Sequence, residues 1–94
     1  MPITQNSIPT RQFDVRARTL AGRQLLLRVH VTMETNDVGL AMWSLLDGTL
    51  TVGEVAEAVA HEYDVSPEET LADAIAFVKA LVEIRFVTMA DSDG

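Results

Sequence analysis

The chain has 94 residues, of which 48% are hydrophobic and 22% are charged, a composition typical of one small globular domain. It contains no cysteine, which excludes disulfide bonds, zinc–thiolate sites and a thiol nucleophile. The net charge is −7, with basic residues in excess up to Val31 and acidic residues in excess after it, which disfavours nucleic acids and anionic membranes and suits a basic or neutral partner.

The two ends of the chain are expected to lie outside the folded part. Residues 1–10 have neither the basic start nor the apolar run of a signal peptide, and we expect a flexible N-terminal arm. No stretch approaches the ~18 consecutive apolar residues of a membrane span, and a small domain without disulfides suits a reducing compartment. We therefore expect a cytoplasmic protein without a membrane partner, with its domain at residues 11–89 and a polar tail at residues 90–94.

Two stretches after the arm alternate polar and apolar residues, which is the period of a half-buried β-strand. The first covers residues 12–19, with Phe13, Val15 and Ala17 on its apolar face. A turn at residues 20–22 follows, where Gly22 can adopt a positive φ. The second strand is expected to run unbroken to Glu34 and to direct alternate residues to the core: Leu25, Leu27, Val29, Val31 and Met33. Together the two strands predict a β-hairpin.

The pattern then changes to the helical period, and three capped helices are predicted at residues 37–46, 52–63 and 67–84. Their N-cap residues are Asn36, Thr51 and Ser66. Residues 86–89 can form a terminal strand. Strands followed by helices indicate an α+β, winged-helix-like fold in which an N-terminal β-hairpin packs on three α-helices.

Catalytic groups are scarce in this sequence. His30 and His61 are the two histidines, and neither has metal-ligand spacing with another histidine or with a carboxylate. The glycines are isolated, so no phosphate-binding loop is present. We expect a protein that is not an enzyme and that binds no metal or cofactor.

A winged-helix DNA-binding regulator is one alternative that the order of elements allows. Such a protein inserts its third helix into the major groove with lysines and arginines. Here the third helix has an excess of acids, including Glu68, Glu69 and Asp73, so counterion release cannot favour binding through it. We expect no nucleic-acid partner.

The apolar arc of the third helix is wider than packing on a hairpin requires. One stripe meets the core, and a second, adjoining stripe contains Asp73, Phe77, Ala80 and Ile84. The second stripe could pack on the tail, on the first helix or on a second copy of a structural or dimerising module. It could also form one wall of a peptide groove, with Asp73 available to a cation or an amide.

The end of the second strand could form the opposite wall. If its edge is unpaired, the backbone groups of residues 30–35 can accept an added strand. A peptide would then gain affinity from backbone hydrogen bonds and selectivity from pockets beside Phe77 and Ala80.

The order and spacing of several short runs resemble those of the PqqD-like domains, the recognition elements of pathways that modify ribosomally made peptides. The matching runs are residues 46–48 (Leu-Asp-Gly), 51–55 (Thr-Val-Gly-Glu-Val), 63–64 (Tyr-Asp) and 73–78 (Asp-Ala-Ile-Ala-Phe-Val). The resemblance covers about residues 12–87. Arg85 stands where a glycine is common in that family.

This resemblance implies a winged-helix-like fold with a three-stranded sheet and three helices. It also implies that the leader segment of a precursor peptide is clamped as an added strand between the third strand and the third helix. The candidate peptide-binding residues are His30, Val31, Thr32, Met33 and Glu34 on the strand, and Asp73, Phe77, Ala80 and Ile84 on the helix.

The partners implied are the precursor peptide and a separate modifying enzyme, such as a radical enzyme, a cyclase or a leader peptidase. A DNA-binding regulator and a structural or dimerising module remain the alternatives to this leader-binding domain.

Overall fold

The computed structural model describes residues 2–90, so residues 91–94 of the predicted polar tail lie outside the described part. The elements in chain order are β1 (Ile8–Arg11), β2 (Arg16–Leu20), β3 (Arg23–Arg28), β4 (Val31–Thr35), α1 (Asp37–Ser44), α2 (Val52–Tyr63), α3 (Pro67–Glu83) and β5 (Val87–Ala90). The strands form two antiparallel sheets, one with the order β2-β3-β4 and one that pairs β1 with β5. The architecture is the α+β fold that the sequence predicts, with a three-stranded sheet and three helices.

The three helices begin where the sequence places their N-caps. The side chains of Asn36, Thr51 and Ser66 each accept a hydrogen bond from a backbone N–H in the first turn. Glu54 completes a capping box at the start of α2. These bonds satisfy N–H groups that have no partner inside the helix, which is why local sequence was sufficient to place the starts. At the other end, α1 stops at Ser44, slightly earlier than predicted.

The turn between β2 and β3 is the predicted one. It contains Ala21 and Gly22, and both residues have positive φ, at 53° and 78°. A two-residue loop with this backbone matches the right-handed twist of the strands that it joins.

The prediction of one long second strand is wrong. The chain folds back at Val29 and His30, so that β4 starts at Val31 and pairs antiparallel with β3, with Val31 opposite Arg28. His30 takes a left-handed conformation, with φ at 70°. The result is a third strand in the sheet where the sequence pattern predicted a continuation of the second.

The predicted core face is wrong for Leu25 and Leu27 of the second strand. One row across the sheet consists of Ala17, Leu26 and Met33, and Leu26 in its centre is fully buried. Leu25 and Leu27 therefore face the opposite side. On the predicted face of the first strand Val15 is buried, whereas Ala17 is exposed and the Phe13 side chain is 96% exposed. Leucine on both sides of β3 made the alternation ambiguous.

Helix α3 packs on the core through a central stripe with half-buried residues on both flanks. The buried residues are Thr70, Ala74, Val78 and Leu81. Leu71, Ile75 and Val82 form one half-buried flank, and Phe77, Ala80 and Ile84 form the other. Both flanks contain residues that pack against the core, among them Ile75 on one side and Phe77 on the other.

The small sheet of β1 and β5 joins the two ends of the domain. Ile8 pairs with Ala90 and Arg11 with Val87. The Arg11 guanidinium also donates to the carbonyl oxygens of Trp43 (3.0 Å) and Ser44 (2.7 Å), which lie at the end of α1. β1 thus begins within the segment predicted as a flexible arm, and the domain limits 11–89 stay a prediction.

Candidate peptide-binding site

Strand β4 is an edge of the three-stranded sheet. It pairs with β3 on one side, and no strand of residues 2–90 pairs with its other side. In a hairpin closed by two residues, the flanking pair exchanges two hydrogen bonds, and bonded and non-bonded pairs alternate from there. Arg28 and Val31 flank the loop. Thr32 and Glu34 therefore direct their backbone N–H and C=O groups away from β3, towards the open edge.

The inner face of β4 continues the apolar surface of the core. Met33 lies opposite the fully buried Leu26 and is itself half-buried against the core cluster. Val31 and Thr35 share this face, since side chains alternate along a strand. The face that contains Met33 thus offers apolar contact beside the open edge.

Helix α3 supplies a second half-buried surface at the margin of the same core. Phe77 and Ile84 pack against the core cluster but remain partly accessible, and Ala80 is likewise half-buried. Asp73 belongs to the same stripe and is exposed. The predicted stripe therefore exists as one flank of α3, with a carboxylate towards the start of the helix.

Polar contacts fix the sheet relative to the helices at both ends of β3. Near the end of α3, the Arg28 guanidinium donates to the Arg85 carbonyl (2.7 Å) and pairs with the Asp14 carboxylate (2.9 Å). At the other end, the Gln24 amide donates to the Asp37 carboxylate at the start of α1 (2.6 Å). β4 therefore starts beside the C-terminal end of α3.

The side chains on the outer face of the sheet are held by a separate ion pair. Arg23 donates to both carboxylate oxygens of Glu34, at 2.7 and 3.2 Å. These hydrogen bonds and the charge of Arg23 lower the pKa of the Glu34 carboxyl. A hydrogen bond from Arg28 likewise lowers the pKa of Asp14. Both carboxylates are exposed, so these pairs orient side chains more than they stabilise the fold.

The structure distributes the predicted strand residues over two elements. Val31, Thr32, Met33 and Glu34 lie in β4, whereas His30 is exposed in the loop that precedes it. Thr35 completes β4; it lies within the range 30–35 whose backbone was predicted to accept a strand, although it was not among the candidate binding residues.

The rest of the described chain offers little for catalysis. His30 and His61 are both exposed. Residues 2–90 contain no group of three histidine, aspartate or glutamate side chains arranged to hold a metal ion. Among the same residues, no helix combines the length and the apolar character needed to cross a membrane.

Comparison with known families identifies the class of this domain. The family model of coenzyme PQQ synthesis protein D (PqqD) matches residues 23–87, which is more than half of the chain. The chain therefore belongs to the PqqD family.

Two solved structures share the fold. The first is the solution NMR structure of the PqqD truncation of Methylobacterium extorquens PqqCD, a functional and stand-alone RiPP recognition element (RiPP denotes a ribosomally synthesized and post-translationally modified peptide). It is 25% identical, the match covers 92% of this chain and 94% of that one, and the TM-score is 0.77. The second is TbiB1 in complex with the TbiA(beta) leader peptide, with 22% identity, 83% and 93% coverage and a TM-score of 0.65. No curated protein matches the chain.

Proposed function

We propose that this chain is a non-catalytic recognition element that binds the leader segment of a ribosomally synthesised precursor peptide and presents it to separate modifying enzymes. The observation that carries the proposal is the open edge of β4, which has the outward backbone groups of Thr32 and Glu34 beside the apolar inner face of Met33. The leader adds to this edge as a further strand, and its side chains contact the flank of α3 that contains Phe77.

Backbone hydrogen bonds supply the part of the affinity that does not depend on leader sequence. Each outward-facing residue of β4 offers one donor and one acceptor, so Thr32 and Glu34 together provide four groups. A net hydrogen bond is worth about 1 kcal/mol, which alone gives weak binding. Selectivity and the remaining affinity must come from the side chains.

Side-chain contacts are confined to a short stretch of leader. The distance along β4 from Val31 to Thr35 is about 13 Å, and the rise along α3 from Asp73 to Ile84 is about 16 Å. Either length fits four or five extended residues of leader. Alternate leader residues would contact Met33 on one wall and Phe77 and Ile84 on the other, and we expect these leader positions to be apolar.

The Asp73 carboxylate gives the groove a polarity. β4 starts beside the C-terminal end of α3, where Arg28 contacts the Arg85 carbonyl, and Asp73 lies towards the opposite end of the helix. A basic leader residue or a free backbone amide at that end would pair with this carboxylate.

Membership of the PqqD family supports the recognition role, and so does the likeness to the stand-alone recognition element of PqqCD. The TbiB1 structure, whose likeness to this chain extends to the fold alone, holds a leader peptide on that fold. A domain without an evident catalytic group serves such a pathway by raising the local concentration of substrate at an enzyme. That enzyme would be of the radical, cyclase or leader-peptidase type.

Replacement of Phe77 by aspartate tests the α3 wall. Phe77→Asp should weaken binding of the leader at least tenfold, because it removes an apolar contact and places a charge against the peptide. Isothermal titration calorimetry with the synthetic leader measures the effect. Ile75→Asp is the matched control, since Ile75 is half-buried on the opposite flank of α3. Equal loss in both variants, or no loss in Phe77→Asp, would contradict the placement of the leader.

Replacement of Asp73 by arginine tests the polarity of the groove. Asp73→Arg should lower the affinity for the leader about fivefold, since an exposed ion pair contributes about 1 kcal/mol or less. Glu83→Arg makes the same charge change on the solvent side of α3 and should leave the affinity intact. Unchanged affinity in Asp73→Arg would remove Asp73 from the site.

A further inference from the structure

The three-stranded sheet has a second face, which also holds the Arg23–Glu34 ion pair. We call its part on β2 and β3 the outer sheet face and define it by Arg16, Arg18, Leu20, Leu25 and Leu27. The strand register places Arg16 opposite Leu27 and Arg18 opposite Leu25. These residues alternate with the row of Ala17 and Leu26 and therefore face away from the hydrophobic core.

Arg16 and Arg18 differ from the other arginines of the N-terminal half. Arg11 donates to carbonyls at the end of α1, Arg23 pairs with Glu34, and Arg28 pairs with Asp14. Arg16 and Arg18 are exposed and make no side-chain hydrogen bond or ion pair with any residue from 2 to 90. Two unpaired positive charges therefore stand side by side on a chain whose net charge is −7.

Apolar side chains lie between and beside these charges. Leu25 and Leu27 occupy the central strand, where cross-strand neighbours lie about 5 Å away, and each is only half-buried. Leu20, at the end of β2, is 54% exposed. An antiparallel sheet with one solvated face normally has polar residues there, so leucines in the centre of that face are unusual.

We propose that the outer sheet face docks the modifying enzyme, through a surface of that enzyme that has acidic residues around an apolar centre. This inference rests on the proposed function, in which the bound leader is presented to a separate modifying enzyme. Charge complementarity defines the partner: the carboxylates pair with Arg16 and Arg18, and the apolar centre covers Leu25 and Leu27.

The chemistry of the face favours a protein over a nucleic acid. Two free cations neutralise too few phosphates to overcome the repulsion of a chain at −7. The apolar centre gains nothing from a phosphate backbone. Leucines bordered by arginines on β2 and by Thr32 and Glu34 on β4 resemble the apolar core and polar rim of a protein interface.

The size of the face sets the strength of the contact. Three strands of about five residues present on the order of 250 Å², well below the roughly 800 Å² that each partner buries in a stable complex. The contact is therefore transient and sensitive to salt. It can form while the leader is bound, because the leader occupies the edge and inner face of β4.

The test compares Arg18→Glu with Lys79→Glu. Both variants change the net charge equally, and Lys79 is exposed on the solvent side of α3. Biolayer interferometry measures two affinities for each full-length variant: that for the synthetic leader, and that for the modifying enzyme of the same precursor in the presence of leader. Arg18→Glu should lower the affinity for the enzyme about tenfold and leave the affinity for the leader unchanged. Lys79→Glu should change neither affinity. Added NaCl should weaken binding of the enzyme more than binding of the leader.

Other outcomes would overturn this inference. The inference fails if the enzyme does not bind the wild-type chain, or if Arg18→Glu leaves the affinity for the enzyme intact. It also fails if Lys79→Glu lowers that affinity as much as Arg18→Glu does. Binding of a short DNA duplex or of phosphatidylglycerol vesicles that Arg18→Glu abolishes, with the enzyme unaffected, would assign the face to another partner. A leader that fails to bind the wild-type chain would instead contradict the proposed function, so the two failures are distinguishable.

Discussion

Arg85 occupies a backbone position that suits glycine. It comes directly after the last turn of α3 with a φ of 64°, in the left-handed region. The Arg85 N–H donates to the Val82 carbonyl (3.0 Å) and the Phe86 N–H to the Leu81 carbonyl (2.9 Å), the two bonds of a Schellman motif. This turn brings the chain from α3 into the buried Phe86 and on into β5, so the packing of Phe86 and the pairing of β5 fix its geometry.

Replacement of Arg85 by glycine should stabilise the protein. A side chain in the left-handed region costs about 1–2 kcal/mol, and the entropy that glycine adds to the unfolded chain offsets part of the gain. We expect a net gain of about 0.5–1 kcal/mol in the free energy of unfolding, which chemical denaturation measures. Arg85→Ala is the control, because it removes the side chain and keeps the Cβ. A glycine variant no more stable than the alanine variant would contradict the explanation.

Single residues were predictable where a local rule applied. The N-caps at Asn36, Thr51 and Ser66 and the positive φ of Gly22 depend on neighbours in sequence, and the structure confirms them. Leu26 was placed on the wrong face because leucines at three successive positions satisfy either alternation. Burial in such a strand is decided by the partner strands and the helices, which local sequence does not reveal.

At the scale of elements, the division between β3 and β4 decides the site. The sequence at Val29 and His30 lacks the Asn-Gly or Asp-Gly pair that marks a two-residue hairpin loop, and the β-branched valine favours a strand. The prediction of one long strand came from these residues. The fold-back creates an edge strand of its own, which is the element that the proposed function needs.

Replacement of Thr32 by proline tests the open edge of β4 without removing a hydrogen bond to β3. The outward N–H of Thr32 is not needed for pairing with β3, so Thr32→Pro should fold while it removes one donor from the edge. We expect affinity for the leader to fall at least tenfold, from the lost hydrogen bond and the clash of the ring with the added strand.

Ala17→Pro is the matched control for this change. By the same alternation, Ala17 directs its N–H to the open edge of β2, on the opposite side of the sheet. Circular dichroism melts should show similar stability for the two variants, and calorimetry should show leader binding intact in Ala17→Pro. Tight binding by a folded Thr32→Pro variant would exclude strand addition at β4.

At the scale of the whole molecule, the fold class and the three helices could be predicted from the sequence, whereas the pairing of β1 with β5 could not. Ile8 and Ala90 lie at opposite ends of the chain, and no local pattern encodes contact between them. The α3 flank with Phe77 and Ile84 was predicted from helical period alone, because an apolar arc wider than one packing face is visible in sequence.

Which of the arginines are paired and which are free can be seen only in the folded molecule. In sequence it is a basic segment followed by an acidic one. In the structure, three of the first five arginines are engaged within the domain, and the remaining two share one face of the sheet, separate from the edge of β4. The proposed peptide site and the proposed enzyme contact therefore lie on separate surfaces of one small domain.

Amide hydrogen exchange, measured residue by residue by NMR with and without the synthetic leader, tests strand addition most directly. We expect the amides of Thr32 and Glu34 to become strongly protected when leader saturates the chain, whereas Met33, already bonded to β3, changes little. If Thr32 and Glu34 exchange as fast in the saturated complex as in the free chain, the leader does not extend this sheet.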